Sequence, residues 1–202
     1  SVNISNNGIG VPDQLADGWV YRPMYTPSQR YQHADGTVQG HPPQGSDNTG
    51  LAALANAISA MGALVSVNIL YNDIGTEQAQ KFVAILNEHA TLKSLCGNRG
   101  DEKQLNMVGG GDKRMGDCGA VMLAPEIVAN GALASLYVGN NCIGPEGAKH
   151  VAGAVKENVS APHFDRYRFE PDCSFDLFFS KGRQWGRDWV WRPIEMAGHS
   201  KA

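Results

Sequence analysis

The chain lacks several features that mark common classes of protein. Its 202 residues contain no apolar run of about 18 residues, the length that a membrane-spanning helix needs, so we expect no transmembrane segment and membrane association only through partners. Its net charge of −3 disfavours a basic surface for nucleic acid. Its four cysteines include no CxxC pair, which disfavours structural zinc and a disulfide framework. We therefore expect no metal site and no nucleic-acid partner.

Sequence signatures of catalysis are also missing. The glycine-rich segment at 109–113 (GGGDK) does not have the spacing of a phosphate-binding loop. The six histidines form no HExxH pair, and no serine stands in a GxSxG turn. The sequence therefore predicts a protein that is not an enzyme and that carries no cofactor. An enzyme with a cryptic pocket remains an alternative, because function depends on sites rather than on folds.

A block of ten residues occurs three times. The copies SVNISNNGIG, SVNILYNDIG and SLYVGNNCIG begin at Ser1, Ser66 and Ser135. Apolar residues two positions apart predict a short strand at the start of each copy. Asparagine can satisfy backbone groups at the turn after the strand, and glycine can permit the turn towards a helix. We assign these structural roles to the shared positions Asn7, Asn72, Asn141, Gly10, Gly75 and Gly144.

Alanine-rich stretches with helical periodicity come after the strands. They cover residues 50–64, 78–92, 119–133 and 147–161, and they predict four amphipathic helices. Each new strand is reached through a helix, so the strands near 2–5, 66–70, 105–108 and 136–139 should form one parallel sheet with the helices on its other side. The third repeat is expanded, with Gly110 in the asparagine position and Met115 in the position of the last isoleucine.

A strand–helix period of about 28 residues is typical of leucine-rich repeats. The segment at 140–158 (NNCIGPEGAKHVAGAVKEN) fits the pattern NxIGxEGAxxLAxAL, and the sequence resembles leucine-rich-repeat proteins of the ribonuclease-inhibitor-like class in their algal and protist form. The resemblance implies an α/β fold, a short solenoid of about four repeats with helices on the convex side. It would cover residues 1–160 with a non-repeat insertion at 11–46, and an aromatic-rich cap and extension would occupy 161–202.

The insertion and the tail share the pattern W-V-aromatic-R-P, at 19–23 and 189–193. High β-propensity predicts that both elements are extended. They either pack on the ends of the stack or contact a partner, since tryptophan, tyrosine and arginine are frequent in interface hot spots. The candidate contact residues are Trp19, Tyr21, Arg22, Trp189, Trp191 and Arg192.

The sequence therefore predicts a non-enzymatic module for protein–protein interaction, a scaffold or docking subunit of a larger complex. The outward strand positions that would face a protein partner are Asn68, Leu70, Asn106, Val108 and Tyr137. The algal resemblance alone suggests an alternative, an accessory peripheral subunit of an organelle membrane complex such as a photosystem. Because the first residue is Ser1, we expect a processed or trimmed chain, and the same resemblance suggests a plastid as its compartment.

Overall fold

The protein has a mixed α/β fold, as its sequence predicts at this level. The computed structural model describes residues 1–7, 9–10, 15–22, 31–39, 49–110, 113–158, 163–170 and 174–180. Within them lie four helices and several small sheets. No helix in this part of the chain is both long and apolar enough to cross a membrane.

The helices and strands alternate through the central part of the chain. In chain order the described elements are β1 (Val2–Asn3), β2 (Trp19–Tyr21), β3 (Tyr31–His33), β4 (Val38–Gln39), α1 (Thr49–Ala60), β5 (Val67–Asn68), α2 (Thr76–Glu88), β6 (Gln104–Asn106), α3 (Gly116–Ala129), β7 (Ser135–Tyr137), α4 (Pro145–Glu157), β8 (His163–Glu170) and β9 (Ser174–Ser180).

The prediction of one continuous parallel sheet is wrong. The described strands form two parallel pairs, β1 with β5 and β6 with β7. Between them the chain at 93–95 lies beside β5, where the Val67 N–H donates to the Ser94 carbonyl at 2.9 Å and the Ile69 N–H to the Leu95 carbonyl at 3.0 Å. The chain then turns away at Gly97, whose φ is +82°, and returns as β6. This excursion interrupts the sheet.

Antiparallel strands complete two of the sheets. Strand β9 lies antiparallel to β7, and β8 lies antiparallel to β9, so the order in this sheet is β6-β7-β9-β8. Strands β2, β3 and β4 form a separate three-stranded antiparallel sheet. The chain after the last helix therefore occupies the sheet position next to β7.

The hydrophobic core lies between the parallel strands and the helices. The inward strand residues Val67, Ile69, Leu105, Leu136 and Val138 are buried. Helix α3 packs between α2 and α4 and has the most buried residues of the four helices. Burial of one side accounts for the apolar spacing of α2 and α4, whereas α3 is buried on most sides and is apolar almost throughout.

Two buried asparagines make the same contacts in different repeats. The Asn72 amide donates to the carbonyls of Ile69 in its own repeat and Ile4 in the preceding one, both at 3.0 Å, and its oxygen accepts the Ile9 N–H. Asn72 thus ties its turn to the repeat before it.

Asn141 makes the same contacts two repeats further along the chain. Its amide donates to the carbonyls of Val138 at 2.8 Å and Met107 at 2.6 Å, and its oxygen accepts the Met115 N–H at 3.2 Å. Met107 and Met115 therefore occupy the places that Ile4 and Ile9 hold in the first repeat. This agrees with the predicted alignment of the expanded third repeat.

The conformational role expected of two glycines is wrong. Gly75 and Gly144 have φ of −74° and −83°, which any residue adopts. Asn6, Tyr71 and Asn140 are left-handed at the same place in the three turns, with φ between 55° and 60°, and Cys142 in the third turn also has a positive φ, +52°. Only Gly10 of the three predicted glycines has a positive φ, +99°.

Gly144 is required for a different reason. The Asp117 carboxylate of α3 accepts hydrogen bonds from the N–H groups of Gly144 at 2.7 Å and Gly147 at 2.9 Å. A Cβ at Gly144 would lie 2.9 Å from an Asp117 oxygen. Asp117 thus caps the N-terminus of α4, which has no capping side chain of its own.

Replacing Ile69 with alanine should destabilise the protein by about 2–5 kcal/mol, because the side chain is fully buried and its loss leaves a cavity. Urea denaturation measures the change in the free energy of unfolding. Val65→Ala is the matched control, since Val65 is 53% exposed two positions before β5, and it should cost less than about 0.5 kcal/mol. Equal effects of the two variants would show that the assigned strand faces are wrong.

Candidate functional site

The outward side of the parallel strands presents polar, uncharged residues. We call the set Asn3, Asn68, Asn106, Val108 and Tyr137 the strand face. Asn3 is aligned with Asn68 across the first strand pair, and Asn106 is aligned with Tyr137 across the second. Val108, the one aliphatic residue of the strand face, is 53% exposed. The face therefore offers amide groups, one phenol ring and one valine to a ligand.

The three asparagines of the strand face end their strands in the same way. The side-chain oxygens of Asn3, Asn68 and Asn106 accept the backbone N–H two residues further on, at 3.0, 3.1 and 3.3 Å. Such local bonds compete with the strand ladder and turn the chain. This explains why the strands stop after two or three residues.

One residue predicted to face a partner is buried instead. Leu70 is 1% exposed, so it belongs to the core and not to the strand face. Leu70 follows the end of β5 at Asn68, so strand alternation no longer fixes the side to which its side chain points. The side chain packs near Gly119, where an added Cβ would lie 3.2 Å from a Leu70 methyl carbon.

The insertion forms a small antiparallel sheet, β2-β3-β4, which we call the aromatic arm. Trp19 pairs with His33 and Tyr21 with Tyr31 across β2 and β3. The ring centroids of these pairs lie 5.3 and 5.1 Å apart in tilted arrangements. Paired residues project to the same side of an antiparallel sheet, so one side of the arm is aromatic.

The aromatic side of the arm faces its own chain. Tyr31 is fully buried, and the Tyr21 hydroxyl donates to the carboxylate of the buried Asp73 at 3.0 Å. On the other side of the sheet Val20 and Val38 are 50% and 43% exposed. The three predicted contact residues on the arm, Trp19, Tyr21 and Arg22, are half-buried. The tail residues Trp189, Trp191 and Arg192 lie outside the described residues.

A tight turn joins β3 to β4. The Asp35 carboxylate accepts the Thr37 N–H at 2.8 Å and lies 3.0 Å from His33 Nδ1. The bond from Thr37 lowers the pKa of Asp35 to about 2, and His33 contributes to the same shift. Gly36, with φ of +92°, supplies the left-handed step of this turn. The turn fixes the register of the arm.

A buried carboxylate holds the interrupted part of the sheet. Glu126 of α3 is 5% exposed and accepts four hydrogen bonds. The donors are the Leu95 N–H at 2.7 Å, the Cys96 N–H at 2.9 Å, the Ser94 hydroxyl at 2.9 Å and the Asn98 amide at 2.7 Å. The Glu126 carboxylate thus supplies acceptors where the segment 94–98 has left the strand ladder.

The same environment governs the ionisation of Glu126 and Cys96. Burial raises the pKa of Glu126, while the hydrogen bonds from 94–98 favour the charged form and oppose that shift. Burial and the neighbouring carboxylate raise the pKa of the Cys96 thiol well above its usual value. Cys96 is therefore a protonated core residue, and Glu126 has a structural role as an acceptor.

The other two described thiols have different surroundings. Burial raises the pKa of Cys118 to about 12, so its thiolate is scarce at neutral pH. The Arg114 guanidinium donates to Cys142 Sγ at 3.1 Å. No cluster of three or more His, Cys, Asp or Glu side chains suited to a metal occurs among the residues that the structure describes.

Comparison with known proteins supplies no relative. No family model, no curated protein and no solved structure matches this chain. The functional interpretation therefore depends on the strand face, the aromatic arm and the contacts that hold them in place.

Reasoning from the sequence did not identify three carboxylates that hold parts of the structure together. Glu126, Asp117 and Asp73 each bind groups from another repeat or from the arm. Glu126 could have been noticed, because it is the single acidic residue in the apolar stretch 118–133. Asp73 and Asp117 are next to turns, where an acidic residue is ordinarily exposed and gives no such signal.

Glu126→Ala should destabilise the protein by about 3 kcal/mol or more, because it removes the acceptor of the buried Leu95 N–H and three further hydrogen bonds from the segment 94–98. Glu126→Gln keeps one carboxamide oxygen and should cost about half as much or less. Thermal and urea unfolding measure both changes. If the alanine and glutamine variants were as stable as the wild type, the carboxylate would not be holding this segment.

Proposed function

We propose that the chain is a short leucine-rich-repeat stack of the ribonuclease-inhibitor-like type and that it binds a protein partner through its strand face. The observation that carries this proposal is the strand face itself. Asn3 is aligned with Asn68 on one parallel pair and Asn106 with Tyr137 on the other, and Val108 follows β6 with its side chain exposed. Stacked repeats generate extended surfaces of this kind, which suit protein partners.

The repeat interpretation is supported by contacts that recur between equivalent positions. Asn72 and Asn141 bind the same three kinds of group in the preceding repeat and in their own. The left-handed residues Asn6, Tyr71 and Asn140 stand at equivalent places before the three motif asparagines. A repeated sequence block that makes repeated contacts favours a stack of similar units over an unrelated α/β fold.

The chemistry of the strand face supports a protein as the ligand. Asparagine amides can donate to main-chain carbonyls, and Tyr137 combines a ring with a hydroxyl group, as residues at interface hot spots do. The absence of charged residues from these five positions favours a neutral contact over an ion-driven one. The exposed Val20 and Val38 on the outer side of the aromatic arm offer a second, smaller apolar contact.

Val108→Arg should abolish partner binding, because it places a long charged side chain at the exposed apolar position of the strand face. The matched control is Val128→Arg, which makes the same change at a 40% exposed valine of α3. Both tagged variants should fold, since both valines are exposed, and circular dichroism checks this. Quantitative mass spectrometry of proteins recovered from the native source then compares them with the wild type.

The expected result is one set of partners that the wild type and Val128→Arg retain and Val108→Arg loses. Tyr137→Ala, which removes a half-buried ring from the same face, should weaken the same interactions. Equal recovery by Val108→Arg and Val128→Arg would contradict binding at the strand face.

A further inference from the structure

Tyr71 has a backbone conformation that a large side chain rarely adopts. Its φ is +60°, in the left-handed region, where asparagine is enriched and bulky residues are outliers. The equivalent residues of the other two repeated turns are Asn6 and Asn140, both asparagines. The turns therefore need the same conformation, and one of them holds a residue that is poorly suited to it.

The fold uses only part of the Tyr71 side chain. The ring is half-buried, with its inner part against the core. The hydroxyl forms no hydrogen bond with any residue that the structure describes, and its oxygen is reached by solvent. The side chain therefore presents the outer part of an aromatic ring and an available hydroxyl group at the surface.

Tyr71 lies beside the strand face. Burial raises the pKa of Tyr71 and the neighbouring Cys96 thiol adds to this shift, so the two side chains are close. Cys96 is in turn paired with Asn68 of the strand face through an isolated β-bridge. Gly97 packs on the same asparagine, since an added Cβ at Gly97 would lie 3.0 Å from Asn68 Cβ. The ring is thus at the edge of the strand face where the segment 94–98 leaves the sheet.

We propose that Tyr71 is a further contact residue for the protein partner of the strand face. The ring offers an apolar surface to the partner and the hydroxyl offers a donor to a main-chain carbonyl, the combination that makes tyrosine frequent in interfaces. Backbone outliers concentrate at functional sites, so a strained tyrosine in one of three equivalent turns is explained when its side chain serves binding. This inference rests on the proposed partner binding and adds the turn after β5 to the contact surface.

Two reciprocal variants separate binding from folding. Tyr71→Asn installs the residue that the other two turns use, so relief of the left-handed strain should offset the lost ring contacts and keep the urea midpoint of the wild type. Asn6→Tyr places a tyrosine in the same conformation at an exposed position and should lower the midpoint. A midpoint that falls for Tyr71→Asn as far as for Ile69→Ala would overturn the proposal, because the ring would then be a core residue. An unchanged midpoint for Asn6→Tyr would also overturn it, because tyrosine would then be unstrained in this turn.

A second test measures binding, with Tyr71→Phe as the variant that keeps the ring and its packing and removes only the hydroxyl. The probe is the set of proteins that the wild type and Val128→Arg retain, quantified by mass spectrometry. Tyr71→Phe should reduce their recovery about 2- to 10-fold, the usual effect of one hydrogen bond. Tyr71→Asn also removes the ring and should reduce it about 30-fold or more, as at an interface hot spot.

The Val108→Arg variant distinguishes failure of this inference from failure of the proposed function. If Val108→Arg loses partners that both Tyr71 variants retain, Tyr71 is not a contact residue and only this inference is overturned. If the wild type recovers no partner that Val108→Arg loses, the strand face is not a binding surface and both proposals are overturned. Loss of the same partners by Val108→Arg and by the two Tyr71 variants is the result that the proposal predicts.

Discussion

The structure depends on side-chain amides that are buried between neighbouring repeats. A short strand of two or three residues leaves most backbone groups of its turn without a ladder partner, and an unpaired buried group costs about 1–3 kcal/mol. Asn72 and Asn141 satisfy these groups in their own turn and in the turn before it. At the opposite end of the repeats, Asn158 donates to the carbonyls of Ile127 and Asn130, and Asn130 donates to that of Glu102. Asparagine side chains thus join the first repeat to the second at one end of the strands and the third repeat to the fourth at both ends.

Acidic residues hold the places where the repeat pattern changes. The segment 94–98 leaves the strand ladder, and Glu126 reaches across from α3 to accept four of its hydrogen bonds. Asp117 caps the N-terminus of α4, where Gly144 supplies no capping side chain. Asp73 holds the arm through the Tyr21 hydroxyl. The donors that Glu126 and Asp117 bind are neutral, so these two carboxylates contribute directed hydrogen bonds.

Periodicity made part of this structure predictable from the sequence, and single long-range contacts made the rest unpredictable. Strand positions such as Ile69 and Leu136, the four helices and the equivalence of Met115 with Ile9 could be inferred from spacing, because burial repeats with the strand and the helix. Leu70 was assigned to the outer face by alternation, but β5 ends at Asn68 and alternation does not fix the direction of a residue beyond the strand. One continuous sheet was predicted because the number of repeats does not reveal that the chain turns away from the sheet at Gly97. Nor does it reveal that Glu126 accepts the hydrogen bonds of this segment. For the candidate site, the outward positions of Asn68, Asn106 and Tyr137 could be predicted from alternation, whereas the inward packing of Tyr21 involves a long-range bond to Asp73.

The account is tested most directly by comparing two asparagines from the same motif position. Asn141 is fully buried and bonds to two repeats, whereas Asn7 is exposed and its side-chain amide donates to the Ser5 carbonyl of its own turn. Urea denaturation of Asn141→Ala and Asn7→Ala measures the free energy of unfolding of each. The buried amides predict a loss of at least about 2 kcal/mol for Asn141→Ala and less than about 0.5 kcal/mol for Asn7→Ala. Equal, small losses would contradict the claim that these amides hold the repeats together.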